Sequence, residues 1–381
     1  MARSPAIQEV EALPEADRLE GFPHPRETRF LHGQEAAEQA LADALASGRI
    51  HHGWLLAGSS EGIGKATLAY RFAAYALARP EERGGTEGPL SLAEKSSALR
   101  MVRVMSHPGL LVIRRPYSVK DKRFAANIPV DEVRKLRGFL AHTAGGASDA
   151  GAAVRRVVIV DQADELNISS ANALLKSLEE PPPQTLFLLI TSQPGRLLPT
   201  IRSRCRTLTL PALSAESMRA AAVQALNAAE IEAPEGADWK HLTHLSRGSV
   251  RRLLGLLSGD GLKLSERVYA LVEGLPKVDW NAAHALGDEL GSAAAEQKFE
   301  AFFDLLQDLT AGLARAAATG EGMPRDVELA RRLIGEDGVA AWAGLWEAIG
   351  QRKSEVQGLN LDRKGLILDV IGSLQSAAQK Q

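Results

Sequence analysis

The chain has a single cysteine, Cys205, among 381 residues. That scarcity excludes a disulfide framework and any metal site built on several thiolates. Net charge is nearly absent as well: 45 Lys and Arg stand against 47 Asp and Glu, which leaves −2. No global field draws phosphate to such a chain, so any nucleic-acid contact must come from a local patch. No apolar run reaches membrane-spanning length, and the start, Met1-Ala2-Arg3-Ser4-Pro5, lacks the apolar stretch of a signal peptide. These absences lead to the expectation of a soluble, cytoplasmic protein. What is present is ordinary globular composition, 45% hydrophobic and 24% charged, over a length suited to two or three domains.

The most informative stretch is 155–206. An apolar run, Val157-Val158-Ile159-Val160, ends on Asp161. A helical segment over 170–180 is stopped by Pro181-Pro182-Pro183, and a second apolar run, 186–190, ends on Thr191-Ser192. Buried strands ending on polar residues are how a parallel nucleotide-binding sheet presents chemistry at its carboxyl edge. Earlier, His51-His52-Gly53-Trp54-Leu55-Leu56-Ala57 reads as a short strand. It leads into the loop Gly58-Ser59-Ser60-Glu61-Gly62-Ile63-Gly64-Lys65-Ala66-Thr67 and a helix over 68–77. Strand, glycine loop, lysine and helix together suit phosphate: backbone N–H groups turn inward, the helix N-terminus adds positive potential, and Lys65 supplies a point charge.

The loop departs from the full pattern. Ser59 stands where its first glycine belongs, and Ala66 stands where a hydroxyl would ligate magnesium, with Thr67 one place late. Two readings stay open, a loop that still binds nucleotide and one inherited from an ATPase and no longer used. Asp161 could hold magnesium beside the loop, but an ATPase places a Glu next, and this chain has Gln162. An amide cannot accept the proton of an attacking water, so hydrolysis is expected to be very slow or absent. The His51-His52 pair has no further ligand at suitable spacing and is expected to pack and hydrogen-bond rather than bind metal.

Arg204 closes the stretch within Ile201-Arg202-Ser203-Arg204-Cys205, after a turn containing Pro199. It is either a surface arginine in a loop or an arginine finger donated to a neighbour's γ-phosphate. The flanking Arg202 and Arg206 suit structure or a phosphate backbone. Residues 1–28, rich in Pro, Glu and Arg without a period, predict a loosely held arm. Further helices are expected over 33–49 and 95–103 and from 128, a strand over 110–113, and a flexible glycine loop over 145–151. A last strand over 207–210 ends the α/β domain at Pro211. Short helices over 215–226, 239–246 and 250–257 follow, and Arg251 on the third could reach back to a nucleotide or complete a helix surface. From about 276 the apolar positions keep helical spacing through Phe299, Phe302, Trp342 and Ile371, which predicts a bundle.

Certain of these residues carry a family resemblance. Lys176-Ser177-Leu178-Glu179-Glu180-Pro181-Pro182, then Leu198-Pro199-Thr200-Ile201-Arg202-Ser203-Arg204-Cys205, resembles the clamp-loader branch of the AAA+ ATPases. The loop Gly62-Ile63-Gly64-Lys65-Ala66-Thr67 with Asp161-Gln162-Ala163-Asp164 narrows it to a subunit that does not hydrolyse ATP. The resemblance covers about residues 28–375. It implies an AAA+ P-loop NTPase-type parallel-sheet domain over 29–211 after the arm, a small helical lid over 212–275, and a helical collar over 276–381 that joins subunits. It implies a stator in a ring with delta and gamma/tau clamp-loader subunits, which loads the β sliding clamp onto primed DNA. As such the chain would be part of the DNA polymerase III holoenzyme, a nucleotidyltransferase complex, without an ATPase activity of its own. Carried over by motif, Arg204 is the arginine presented in trans, and Gly62, Gly64, Lys65, Thr67 and Asp161 are the remnant of a site for ATP or ADP, bound but not hydrolysed. Thr191 with Ser192 matches the sensor-one position and Arg251 the sensor-two position. Many relatives carry a four-cysteine zinc module after the phosphate-loop helix; residues 78–107 have no cysteine, so no zinc is expected. The alternative is a catalytically active gamma/tau-type ATPase, disfavoured by Ala66, Gln162 and the missing cysteines. A branch-migration type of DNA motor is disfavoured by the lack of a hydrolytic Glu.

Overall fold

The strands are β1 (Gly53–Ala57), β2 (Leu110–Ile113), β3 (Tyr117–Ser118), β4 (Arg123–Phe124), β5 (Arg156–Val160), β6 (Thr185–Thr191) and β7 (Arg206–Thr209), of which β1, β2, β5 and β6 are apolar runs. Five of them form one sheet in the order β2-β5-β6-β1-β7, and β3 with β4 makes a separate hairpin. Every pairing in the larger sheet is parallel, with β1 beside β6 and β7, and β5 beside β2 and β6. Seven consecutive residues of β6 are buried, as expected of a strand covered on both faces. This computed structural model describes residues 13–58, 60–84, 88–120, 122–141, 154–233, 239–257, 261–292, 295–335, 337–359 and 361–379. The chain divides into two compact units, residues 1–254 and 255–381.

The helices of the first unit are α1 (Glu35–Ala46), α2 (Lys65–Leu77), α3 (Ser97–Arg103), α4 (Val130–Ala141), α5 (Ile168–Glu179), α6 (Pro199–Arg202), α7 (Ala215–Ala228), α8 (Trp239–Ser246) and α9 (Val250–Leu257), the last straddling the division. Alternate residues of each strand serve opposite faces. Trp54, Leu56, Val157, Ile159, Leu186 and Leu188 pack with Leu41 and Leu45 of α1 and Leu68 and Phe72 of α2. Leu55, Val158, Val160, Phe187 and Leu189 pack with Val133 and Leu136 of α4 and Leu174 and Leu178 of α5. The parallel-sheet domain implied by the resemblance is what the chain forms.

The N-terminal arm corrects an expectation. Residues 13–28 are not loosely held: Phe22 and His24 are buried, and a network of polar side chains fixes them. Asp17 lies 2.9 Å from His24 Nε2 and accepts from the Tyr70 hydroxyl of α2, also at 2.9 Å. Arg114, just beyond β2, binds both Glu15 and Asp17, and Arg26 reaches Glu15 at 2.9 Å. Polar contacts of this kind leave no periodic trace in sequence. Residues 1–12, Ser59 and the loop 145–151 lie outside the described residues. The hairpin β3–β4 was not foreseen either, and the turn at Pro199 is the short helix α6.

The second unit is all helical where described: α10 (Gly261–Glu273), α11 (Trp280–Leu290), α12 (Glu296–Thr319), α13 (Pro324–Leu333), α14 (Val339–Leu359) and α15 (Arg363–Ala378). Its core gathers Phe299, Phe302, Phe303, Leu306, Trp342, Ile367 and Ile371. Leu264, Val268 and Val272 of α10 belong to that same core, although the sequence reading grouped 212–275 as a lid. By packing, α10 goes with the bundle. No described helix is long and apolar enough to cross a membrane.

Candidate functional site

Gly62 and Gly64 turn the loop after β1 with φ of +73° and +99°, angles that glycine adopts without steric cost. Gly64 is the N-cap of α2 and supplies no capping side chain, so the loop delivers Lys65 at the first position of the helix. Lys65 is only 4% exposed. Its ammonium donates to the Ser60 carbonyl at 2.6 Å and to Ser192 Oγ at 3.0 Å. Burial lowers the Lys65 pKa below that of an ordinary lysine, while the charges of Glu61, Asp164 and Asp161 work against that shift.

The remaining members of this edge arrive from two strand ends and two helices. Asp161 directly follows β5 and is buried; burial first, then the charges of Asp17, Glu61 and Glu165, hold its pKa well above the usual carboxylate range. Gln162 follows in the left-handed region at φ 59°. Thr191 ends β6 buried, and its Oγ1 accepts from the Gln193 N–H at 3.1 Å. It is the next residue, Ser192, that meets Lys65, and the Ser192 N–H donates to Asp164 Oδ1 at 3.4 Å. Thr67 is half-buried in the first turn of α2. From α9, the Val250 N–H donates to the Gly62 carbonyl at 2.9 Å, and a Cβ on Gly62 would stand 2.5 Å from Arg251 Cβ. Lys65, Asp161 and the Gly62 loop are therefore brought to one edge, with Arg251 close by. Ser192 and Asp164 were in the quoted motifs, but their contacts, Ser192 with Lys65 and Asp164 with the Ser192 N–H, were not foreseen. Two left-handed glycines, a helix N-terminus and a lysine fit a phosphate group. Ala66 and Gln162 give that phosphate neither a metal hydroxyl nor a base.

Arg204 stands elsewhere. It follows α6 in the turn before β7, and Gly53, the first residue of β1, presses beneath that turn. A Cβ on Gly53 would lie 3.1 Å from both the Arg204 carbonyl and Cys205 Sγ. The Cys205 thiol is pushed up to about 11 by burial. His52 Nε2 donates to the Leu178 carbonyl at 3.1 Å, and the His51 and His52 rings stack at 4.5 Å, the packed pair expected from the sequence. On this base the Arg204 guanidinium donates to the Thr200 carbonyl at 2.9 Å and pairs with Glu179 at 2.7 Å. The two side chains are 36% and 42% exposed, so the pair contributes no more than about 1 kcal/mol. Glu179 stood in the motif that carries the resemblance, at the end of α5 just ahead of the Pro181 stop, but its pairing with Arg204 was not foreseen. Gly53 and Ala57 are the two ends of β1, so Arg204 and the phosphate loop sit about 13 Å apart along that strand.

A family model described as DNA polymerase III, delta subunit, matches residues 33–214. DNA polymerase III subunit delta' of Pseudomonas aeruginosa is 35% identical over 272 residues, spanning 70% of this chain and 74% of that one. The chain belongs to the DNA polymerase III delta' family. The delta' subunit of Escherichia coli is 32% identical over 245 residues, 64% of this chain and 65% of that one. Subunit tau of Escherichia coli is 33% identical over 245 residues, but these span only 34% of its length. The three matches cover similar shares of this chain, 63% of it for tau, but they span most of each delta' relative and only about a third of tau.

Proposed function

We propose that this chain is the stator-type delta' subunit of a cytoplasmic clamp loader, one that presents Arg204 to nucleotide held by a neighbouring gamma/tau subunit. Its work in that assembly, with delta as a further partner, is to help load the β sliding clamp onto primed DNA. The observation that carries this reading is the position of Arg204: a partly exposed guanidinium on a turn packed against Gly53, a strand's length from the chain's own phosphate loop. An arginine so placed is suited to a phosphate outside its own subunit, where it would stabilise charge on the transferring group. The loss of the base at Gln162 and of the metal hydroxyl at Ala66 supports a subunit that does not hydrolyse ATP itself. Gly62, Gly64, Lys65 and Thr67 would hold the phosphates of ATP or ADP, with Arg251 and Thr191 beside them. A nucleotide there would supply negative charge to Lys65 in exchange for the Ser60 and Ser192 contacts.

The test is turnover of the assembly reconstituted with Arg204→Ala. The variant should fold and join the complex, because its pair with Glu179 is exposed, while ATPase turnover and clamp loading fall severalfold or more. Unchanged turnover would remove the trans-acting role. The second reading, a gamma/tau-type ATPase, draws on the left-handed glycines around Lys65. It predicts DNA-stimulated hydrolysis by the isolated chain that Lys65→Ala abolishes, an activity the stator reading says is absent.

A further inference from the structure

Residues 114–124 read Arg-Arg-Pro-Tyr-Ser-Val-Lys-Asp-Lys-Arg-Phe, five cations against one acid in a chain whose net charge is −2. Two of the five are used inward: Arg114 holds Glu15 and Asp17, and Arg115 pairs with Glu165 at 2.7 Å. The other three, Lys120, Lys122 and Arg123, are exposed and make no ion pair among the described residues. Neighbouring α4 shows the ordinary arrangement for surface cations, with Arg134 paired to Asp131 and Lys135 to Glu132, each at 2.6 Å. Among the described residues the hairpin cations have no such compensation.

The element that carries them is held firmly. Two-stranded hairpins are marginal alone, but Tyr117 and Phe124 meet edge to face at 5.2 Å, and Ser118 pairs with Arg123 across the ladder. The Ala125 N–H donates to the Pro116 carbonyl at 2.9 Å and closes the base. Just beyond, the Ile128 N–H donates to the Glu165 carbonyl at 2.9 Å and the Ser170 hydroxyl to the Ile128 carbonyl at 2.7 Å, tying the hairpin's exit to the start of α5. At the tip Val119 is 64% exposed, an apolar side chain standing among cations. Among the described residues neither these charges nor the valine meets a partner that would make the arrangement useful to folding.

We propose that the hairpin Tyr117–Phe124 is a nucleic-acid contact, with Lys120, Lys122 and Arg123 on the phosphate backbone of DNA and Val119 against its sugars and bases. A nucleic-acid strand offers regularly spaced charge with apolar faces between, which matches cations flanking a valine. The contact carries no base-specific donor or acceptor, so it positions DNA without reading sequence. It is independent of the Arg204 reading, because it concerns binding by the chain itself and leaves that arginine untouched.

The test is fluorescence anisotropy of a labelled primer–template duplex titrated with the full-length chain across a range of KCl. Each phosphate neutralised adds about 0.9 to the slope of log affinity against log salt for duplex and about 0.7 for single strand. The triple variant K120A/K122A/R123A should therefore flatten that slope by about 2 to 3 and weaken binding at least about tenfold at low salt. Its melting temperature should match the parent, since the three side chains are exposed, and the charge-preserving K120R/K122R/R123K should keep the parental slope. Val119→Ser should weaken binding without changing the slope. A triple variant with the parental slope would overturn the proposal, as would a parent chain that leaves the duplex unbound. Displacement of the duplex by polyglutamate at matched charge would overturn it too, and would assign the hairpin to an acidic protein segment.

Discussion

Replacing Arg114 by methionine should destabilise the N-terminal unit more than most single changes would. Arg114 joins Glu15 to Asp17, and Asp17 is buried against His24 and Tyr70. Burial on its own raises the Asp17 pKa, but the hydrogen bond and charge of His24 and the charge of Arg114 outweigh it and hold the carboxyl well below its usual range. Removing one partner of a buried pair leaves the other charge uncompensated, at a cost of about 3–5 kcal/mol. For a unit of this size that is a fall of about 6–20 °C in melting temperature. The effect has a defined pH window. A carboxyl with a depressed folded pKa contributes stability that is present above its unfolded value, 3.8, and lost as pH falls through the folded value. At pH 7 the full loss should be visible by calorimetry of the full chain, and the acid limb of the stability curve should be shallower in Arg114→Met than in the parent. The double variant Arg114→Met/Asp17→Asn should recover part of the loss, because the stranded charge is gone. An Arg114→Met chain that melts within about 1 °C of the parent would show that residues 13–28 are held loosely after all.

Gly62→Ala should destabilise the same unit by about 1–3 kcal/mol, because it demands a left-handed backbone and sets a methyl against α9, 2.5 Å from Arg251 Cβ. An unchanged urea midpoint would show that α9 is not seated on the phosphate loop. Cys205, with its pKa raised from 9.0 to about 11, should carry about a hundredfold less thiolate at pH 8 than an ordinary cysteine and react correspondingly slowly with iodoacetamide. Labelling should become fast on unfolding in urea; fast labelling of the native chain would refute the packing of Gly53 under the Arg204 turn.

The sheet was legible because strands covered on both faces are continuous apolar runs, and β1, β5 and β6 all read that way. The long helices were legible from spacing, as at Phe299, Phe302 and Phe303. The arm was not, because it is held by polar contacts between distant positions, Glu15 and Arg114 being 99 residues apart. Nor was the hairpin, whose two-residue strands are too short to show a period. The α10 pattern of Leu264, Val268 and Val272 was present in the sequence, but spacing says that a helix is amphipathic and not which core receives it. At the site, Lys65, Asp161 and the glycine loop were readable as a motif. Ser192 was not identified as the lysine's partner, since 127 residues separate them and only the pairing of β1 with β6 brings them together.

The same strand decides how the two ends of the site relate. β1 enters under the Arg204 turn at Gly53 and leaves at Ala57 into the phosphate loop, so the arginine and the loop are fixed at a constant separation. Loop closure cannot bring them together, because each is anchored to a buried strand rather than to a mobile lid. A phosphate in contact with Arg204 is therefore not the one that Lys65 would hold. On the proposed reading this separates two selective pressures. Gln162 and Ala66 disable chemistry at one end of the strand without touching the geometry of the other. The scaffold, by contrast, has to stay intact, since a shift of about 1 Å in a positioned catalytic group lowers a rate about a hundredfold. Substitutions that loosen β1, such as Gly53→Ala against the Arg204 carbonyl at 3.1 Å, should thus damage the assembly's turnover more than substitutions at Lys65. Equal effects from the two in the reconstituted assembly would mean that both ends act on nucleotide.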